Sequence, residues 1–301
     1  MGCISVNDSN NNDKRFESIG PDPGEEYVHY LSKTKSEWCL VLYNLKDEAF
    51  TTLRIKENEI SKDCESITIN DKIYCTGGTS KSNKASSAVC VISFQRKVAN
   101  IRHLSSLIHS RYKHSLVSLT IDSLLVMGGI KDKTIEVLEC EAYNTLSNKW
   151  TNMGKLNYPR IESAACCFNN KMVYIFGGQK LSTNGHFIEC MKVDNKTHIW
   201  KVLEVKVPES YLNSKRLWCT EINSTEIIIF WKEVIITFNT KSYKLTQDEN
   251  TNHTILPDKR EEIRKYGDEV VMISEATGNV TTYSLETKRW NIKPHIILPF
   301  E

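Results

Sequence analysis

At 301 residues the chain is long enough for one large β domain or two ordinary domains. Charged residues make up 25% and hydrophobic residues 40%, the balance of an ordinary globular fold. The 39 basic residues against 37 acidic leave a formal net charge of +2, without the basic excess of a dedicated nucleic-acid binder, and no apolar run approaches a membrane span.

Residues 1–25 are polar, and Asn10-Asn11-Asn12-Asp13 followed by Pro21-Asp22-Pro23-Gly24 cannot bury a core. They predict a mobile tail. Its start, Met1-Gly2-Cys3, is similar to chains acylated on Gly2 and Cys3, although Val6 stands where the acylation pattern asks for Ser or Thr. Gly2 and Cys3 are the lipidation candidates. Membrane association is expected only if they are acylated, because stable anchoring takes two lipid signals. Otherwise the expected location is cytoplasmic. No apolar run near the N-terminus resembles a secretory signal. None of the ten cysteines sits in a C-x-x-C pair, and most lie inside apolar runs such as Val89-Cys90-Val91, which predicts reduced core thiols.

Residues 26–301 read as strands and turns throughout. Three strands are expected near Tyr27–Leu31, Trp38–Tyr43 and Phe50–Ile55. A hairpin ending in a glycine pair then recurs: Ile67 to Gly77-Gly78, Leu116 to Gly128-Gly129, and Ala165 to Gly177-Gly178. The runs into those glycines are apolar on successive residues, as strands buried on both faces must be. A second unit follows each hairpin. Tyr143 precedes Trp150 by seven positions, and Tyr283 precedes Trp290 likewise; Val193 and Trp200 have the same form. Weaker copies run from Tyr43 to Phe50, Phe94 to Ile101 and Phe238 to Leu245, so the six first members lie 45 to 51 residues apart. The residue after each first member is Asn44, Gln95, Asn144, Asp194, Asn239 or Ser284, short polar types suited to starting a tight turn. The tryptophans are expected to pack between neighbouring sheets.

This order, an apolar strand ending in Gly-Gly, then an aromatic, then Trp, resembles the kelch repeat. An Arg shortly before a repeat's first strand belongs to the same pattern, and Arg111, Arg160 and Arg216 stand near that place. The resemblance implies an all-β fold, a six-bladed β-propeller of four-stranded kelch-like blades. The blades are expected over residues 64–104, 114–156, 164–205, 217–246 and 263–293, after an incomplete first one. The apolar segment His295 to Phe300 is expected to close the ring by joining blade one. Phe230-Trp231 and Glu275-Ala276 replace the glycine pair in the last two blades.

The resemblance also implies that loops between blades gather on one face. Arg111, Lys113, Arg160, Glu162, Arg216 and Trp218 are the partner-binding candidates there, since Arg and Trp dominate binding energy at many interfaces. Bidentate Arg recognition suits an acidic or phosphorylated peptide. The expected function is therefore a protein-interaction module, an adaptor or scaffold, with no cofactor, no metal, no nucleic-acid partner and no catalysis. The alternative is an enzyme at the channel mouth, similar to copper radical oxidases, which share a kelch-like propeller. Against it, Gly77 to Lys84 lacks phosphate-loop spacing and the Gly-x-Ser-x-Gly motif is absent. His103, His109 and His114 do not match zinc spacings and read as surface or channel-mouth histidines.

Overall fold

A computed structural model describes residues 27–33, 38–55, 60–95, 98–179, 186–193, 197–214, 216–231, 234–248, 261–274 and 279–292. The expected tail with Gly2 and Cys3, the Glu275-Ala276 pair and the closing segment 295–300 lie outside them. The described residues are all-β apart from one short 3-10 helix, Glu209–Asn213.

The strands fall into six groups in chain order. The first holds β1 (Tyr27–Lys33), β2 (Trp38–Asn44) and β3 (Ala49–Ile55). The second holds β4 (Glu65–Ile69), β5 (Lys72–Thr76), β6 (Val89–Gln95) and β7 (Val98–His103). The third holds β8 (Ser115–Thr120), β9 (Ser123–Met127), β10 (Glu139–Asn144) and β11 (Lys149–Lys155). The fourth holds β12 (Ala164–Phe168), β13 (Met172–Phe176), β14 (Ile188–Lys192) and β15 (Lys201–Leu203). The fifth holds β16 (Trp218–Glu221), β17 (Glu226–Trp231), β18 (Val234–Asn239) and β19 (Lys244–Gln247). The sixth holds β20 (Glu261–Tyr266), β21 (Glu269–Ser274), β22 (Val280–Ser284) and β23 (Trp290–Ile292). Groups three to six are separate four-stranded antiparallel meanders, while the first two join into one seven-stranded sheet.

The joint is a parallel pairing of Ile55 with Ala99. Ala99 stands opposite Phe94, where the third group sets Trp150 opposite Tyr143. A methyl thus stands at the sheet joint where the third group carries an indole.

Apolar runs are explained by burial on both faces. Leu124 and Val126 pack with Tyr74, Val89 and Val91 of the second group, while Leu125 and Met127 pack with Val173 and Ile175 of the fourth. Successive side chains of one strand point oppositely, so each strand feeds two cores. Four further clusters join the first and second groups, the fourth and fifth, the fifth and sixth, and the sixth and first. In the last, Val271, Ile273 and Val280 meet Val28, Val41 and Tyr43. The leading strands β4, β8, β12 and β16 lie side by side, and β20 lies beside β1.

The aromatic–tryptophan units are hairpins, as expected. Tyr43 faces Phe50, Tyr143 faces Trp150, Phe238 faces Leu245 and Tyr283 faces Trp290. The Asn144 side-chain oxygen accepts the Ser147 N–H at 2.8 Å, and that of Asn239 accepts the Ser242 N–H at 2.9 Å. Two units depart from the expected register. Ile101 faces Ile92, because the second group's connection is two residues shorter. Cys190 faces Lys201, so the register brings Met191, not Val193, level with Trp200; this connection is two residues longer. The indoles do bridge groups: Trp150 Nε1 donates to the Ser105 carbonyl at 2.7 Å and Trp200 Nε1 to that of Met153 at 3.3 Å.

Each glycine pair pins one group to the next. The Gly78, Gly129 and Gly178 N–H groups donate to the carbonyls of Arg111, Arg160 and Ser214 at 2.9, 2.8 and 2.7 Å. Gly128 and Gly129 adopt φ +66° and +88°. A Cβ on Gly128 would stand 2.5 Å from the Arg160 carbonyl oxygen, so only glycine allows this approach. The fifth group has no such pair. There Phe230 packs edge-on against Tyr283 at 5.5 Å and Trp290 at 5.9 Å.

All nine described cysteines are free thiols. Burial pushes Cys167 and Cys190 up to about 11. Both should remain protonated at about pH 8 and react with a disulfide reagent only after denaturation; fast native labelling of either, read by peptide mass, contradicts this packing. Gly128→Ala should destabilise the fold by about 2–3 kcal/mol through strain and backbone clash. Urea unfolding measures the cost, and an unchanged midpoint would exclude the pinning role.

Candidate functional site: the loop rim

Two kinds of loop share one edge of the structure. In groups two, three and four, one leads into the first strand and the other follows the second strand. They are bridged within groups by Lys62 with Thr79, Tyr112 with Ile130, and Ile161 with Gln179. The glycine N–H bonds then link groups two, three, four and five along this edge, which forms the rim.

Arg111 and Arg160, two of the expected binding residues, are fully buried beneath the rim. The Arg160 Nε donates to Glu189 at 3.0 Å, Nη1 to the Gly177 and Phe187 carbonyls at 2.6 and 3.1 Å, and Nη2 to the His186 carbonyl at 2.9 Å. Arg111 does the same with the carbonyls of His109, Gly128 and Glu139 at 3.2, 3.0 and 2.7 Å, and its Nη2 donates to Glu141. Desolvation by burial pulls both guanidinium groups below their ordinary range, and the facing carboxylates oppose that pull. Both arginines brace loops from inside.

Their partners, Glu141 and Glu189, were not singled out from sequence. Each carboxylate is fully buried and gathers loop donors. Glu141 accepts the Ile108 and His109 N–H groups at 2.7 and 3.0 Å, and His109 Nδ1 lies 3.0 Å away. Glu189 accepts the Asn157 N–H at 2.7 Å and its side-chain amide at 2.8 Å. The available signal was a carboxylate in the third strand of its group, 30 or 29 residues after an arginine.

Arg216 does not share the position of Arg111 and Arg160. The carbonyl that accepts the third glycine bond belongs to Ser214, which stands four residues before β16 as Arg111 and Arg160 stand four before β8 and β12, and follows the 3-10 turn Glu209–Asn213. Arg216 instead matches Lys113 and Glu162. All three have left-handed backbones, φ +57°, +57° and +58°, and Asp63 in the second group shares φ +57°. The Glu162 N–H donates to the Lys113 carbonyl at 3.0 Å, and the Arg216 N–H to the Glu162 carbonyl at 2.9 Å. Side chains follow: Lys113 Nζ lies 3.0 Å from Glu162 Oε1, and Arg216 Nε 3.8 Å from Oε2. Lys113, Glu162 and Arg216 are thus brought together as an arc.

Trp218, the sixth candidate, opens β16 and is half-buried against Phe230, ring centres 5.7 Å apart. It serves the core between groups five and six. His114 is buried rather than at the surface, with Nε2 2.9 Å from the Thr76 hydroxyl. Among the described residues no three His, Cys, Asp or Glu side chains converge as metal ligands, and no helix is long and apolar enough to cross a membrane.

No known protein family's sequence profile matches the chain.

Glu189→Gln should cost about 3 kcal/mol or more, since it leaves a buried guanidinium without its counter-charge. The double replacement Arg160→Met with Glu189→Leu should cost less than that single change. A urea-unfolding double-mutant cycle with additive losses would show that the pair does not act as a unit.

Proposed function

We propose that the chain is a six-bladed, kelch-like β-propeller whose loop rim binds a protein partner, as an adaptor or scaffold without catalytic chemistry of its own. The observation that carries this reading is the order of the apolar clusters. They link groups one to two, two to three, and onward to six, and the last pair is six and one. Sheets that each pack against two neighbours in cyclic order form a ring, and radial packing of short sheets protects their edges. The recurring Gly-Gly, aromatic and Trp positions support a kelch-like repeat.

Binding at the rim is favoured over the opposite face for a physical reason. Rim loops are cross-linked by backbone hydrogen bonds and braced by Arg111 and Arg160, so their surface is pre-organised, and a partner pays little ordering entropy on docking. The opposite face consists of short turns such as 45–48, 145–148 and 240–243.

Cross-linking with an amine-reactive reagent in source-cell extract tests the reading. Partner cross-links should concentrate on the exposed or half-exposed rim lysines Lys62, Lys81, Lys84, Lys113 and Lys131 rather than on Lys46 and Lys241 of the turns or Lys244 at the start of β19. Cross-links confined to the turn lysines, or an experimental density map with five or seven radial sheets, would overturn it.

A further inference from the structure

The arc of Lys113, Glu162 and Arg216 is the feature that the fold itself leaves unexplained. Its backbone bonds already hold the three residues in line, and they need no particular side chain. The carboxylate of Glu162 nonetheless sits between two cations. Its side chain is 17% exposed against 38% for Lys113 and 58% for Arg216, so the anion is recessed and the cations stand above it. Further cations stand elsewhere on the rim: Lys81, Lys84, Lys131 and Lys133 are exposed on the loops after the first two glycine pairs. Asp132, among them, turns its carboxylate back onto the N–H groups of Thr134 and Ile135 at 2.8 and 2.9 Å.

We infer that Glu162 is an internal stand-in for a partner carboxylate, and that an acidic peptide docks by taking over Lys113 and Arg216. The inference rests on the partner-binding reading above and names the chemistry of the partner. A recessed anion keeps the two cations in place in the free protein, and a carboxylate presented from above competes for the same donors. The outlying lysines add long-range attraction and raise the association rate without specifying the seat. A single carboxylate-sized seat fits a peptide better than a nucleic acid, which requires a continuous cationic track that a net charge of +2 does not supply.

Fluorescence anisotropy of a labelled oligoglutamate peptide with the full chain is the test. Glu162→Gln keeps the shape and the left-handed backbone but removes the competing charge, and should tighten binding about fivefold. Lys113→Gln with Arg216→Gln should weaken it about tenfold or more. Lys241→Gln with Lys244→Gln, in the 240–243 turn of the opposite face and at the start of β19 beside it, should leave it unchanged. Thermal melting of each variant confirms that the fold is kept. Unchanged or weaker binding by Glu162→Gln, equal loss in the turn-face control, or tighter binding of a labelled oligothymidylate than of the peptide would each overturn the inference. A cellular partner captured equally by wild type and the Lys113→Gln/Arg216→Gln form would overturn it while leaving the partner-binding reading intact. Oligoglutamate binding with the expected variant pattern, together with no cross-linked protein, would uphold the inference and remove that reading.

Discussion

One hydrogen bond, repeated, governs the arrangement: the second glycine of each pair gives its N–H to a carbonyl of the next strand group. Hydrophobic burial draws sheets together but is non-directional and fixes no register between them. The glycine bond is directional, and it sits at the end of the second strand, where a side chain would forbid the approach. It therefore sets how far each group advances on its neighbour, and with that the spacing of the rim loops. Where the pair is missing, in the fifth group, a cluster of Phe230, Tyr283 and Trp290 takes over the contact to the sixth.

The residue whose carbonyl accepts this bond varies along the rim. It is Arg111 or Arg160 in the third and fourth groups and Ser214 in the fifth. The arginines reach inward to Glu141 and Glu189, and the serine bonds the Tyr211 carbonyl at 2.8 Å. A buried ion pair adds little net stability over an apolar substitute, since desolvation offsets much of the attraction. What it does here is structural: each carboxylate collects N–H groups from the connection before its own group, so two consecutive loops share one anchor.

The repeat was legible in the sequence because its parts are set by hard limits. Glycine alone tolerates the close approach at Gly77, Gly128 and Gly177, and only an Asn- or Ser-like residue starts the turns at 44, 144, 239 and 284. Register in the second and fourth groups was not legible, because a connection shortened or lengthened by two residues keeps the inside–outside alternation and leaves the apolar pattern intact. The roles of Arg111 and Arg160 were also hidden. A loop arginine reads the same whether it points to solvent or into the fold, and the decisive partners, Glu141 and Glu189, lie about 30 residues away in chain. Lys113, Glu162 and Arg216 share no residue type, so only their common left-handed backbone reveals them as equivalent.

Tyr27 lies opposite Asn44, which begins the turn into β3, and its hydroxyl accepts from the Asn44 amide at 3.4 Å. The polypeptide therefore joins the first sheet from the side away from the glycine-linked loops. A group attached at Tyr27 would sit at the turn end of the first sheet, away from the end that carries the glycine-linked loops.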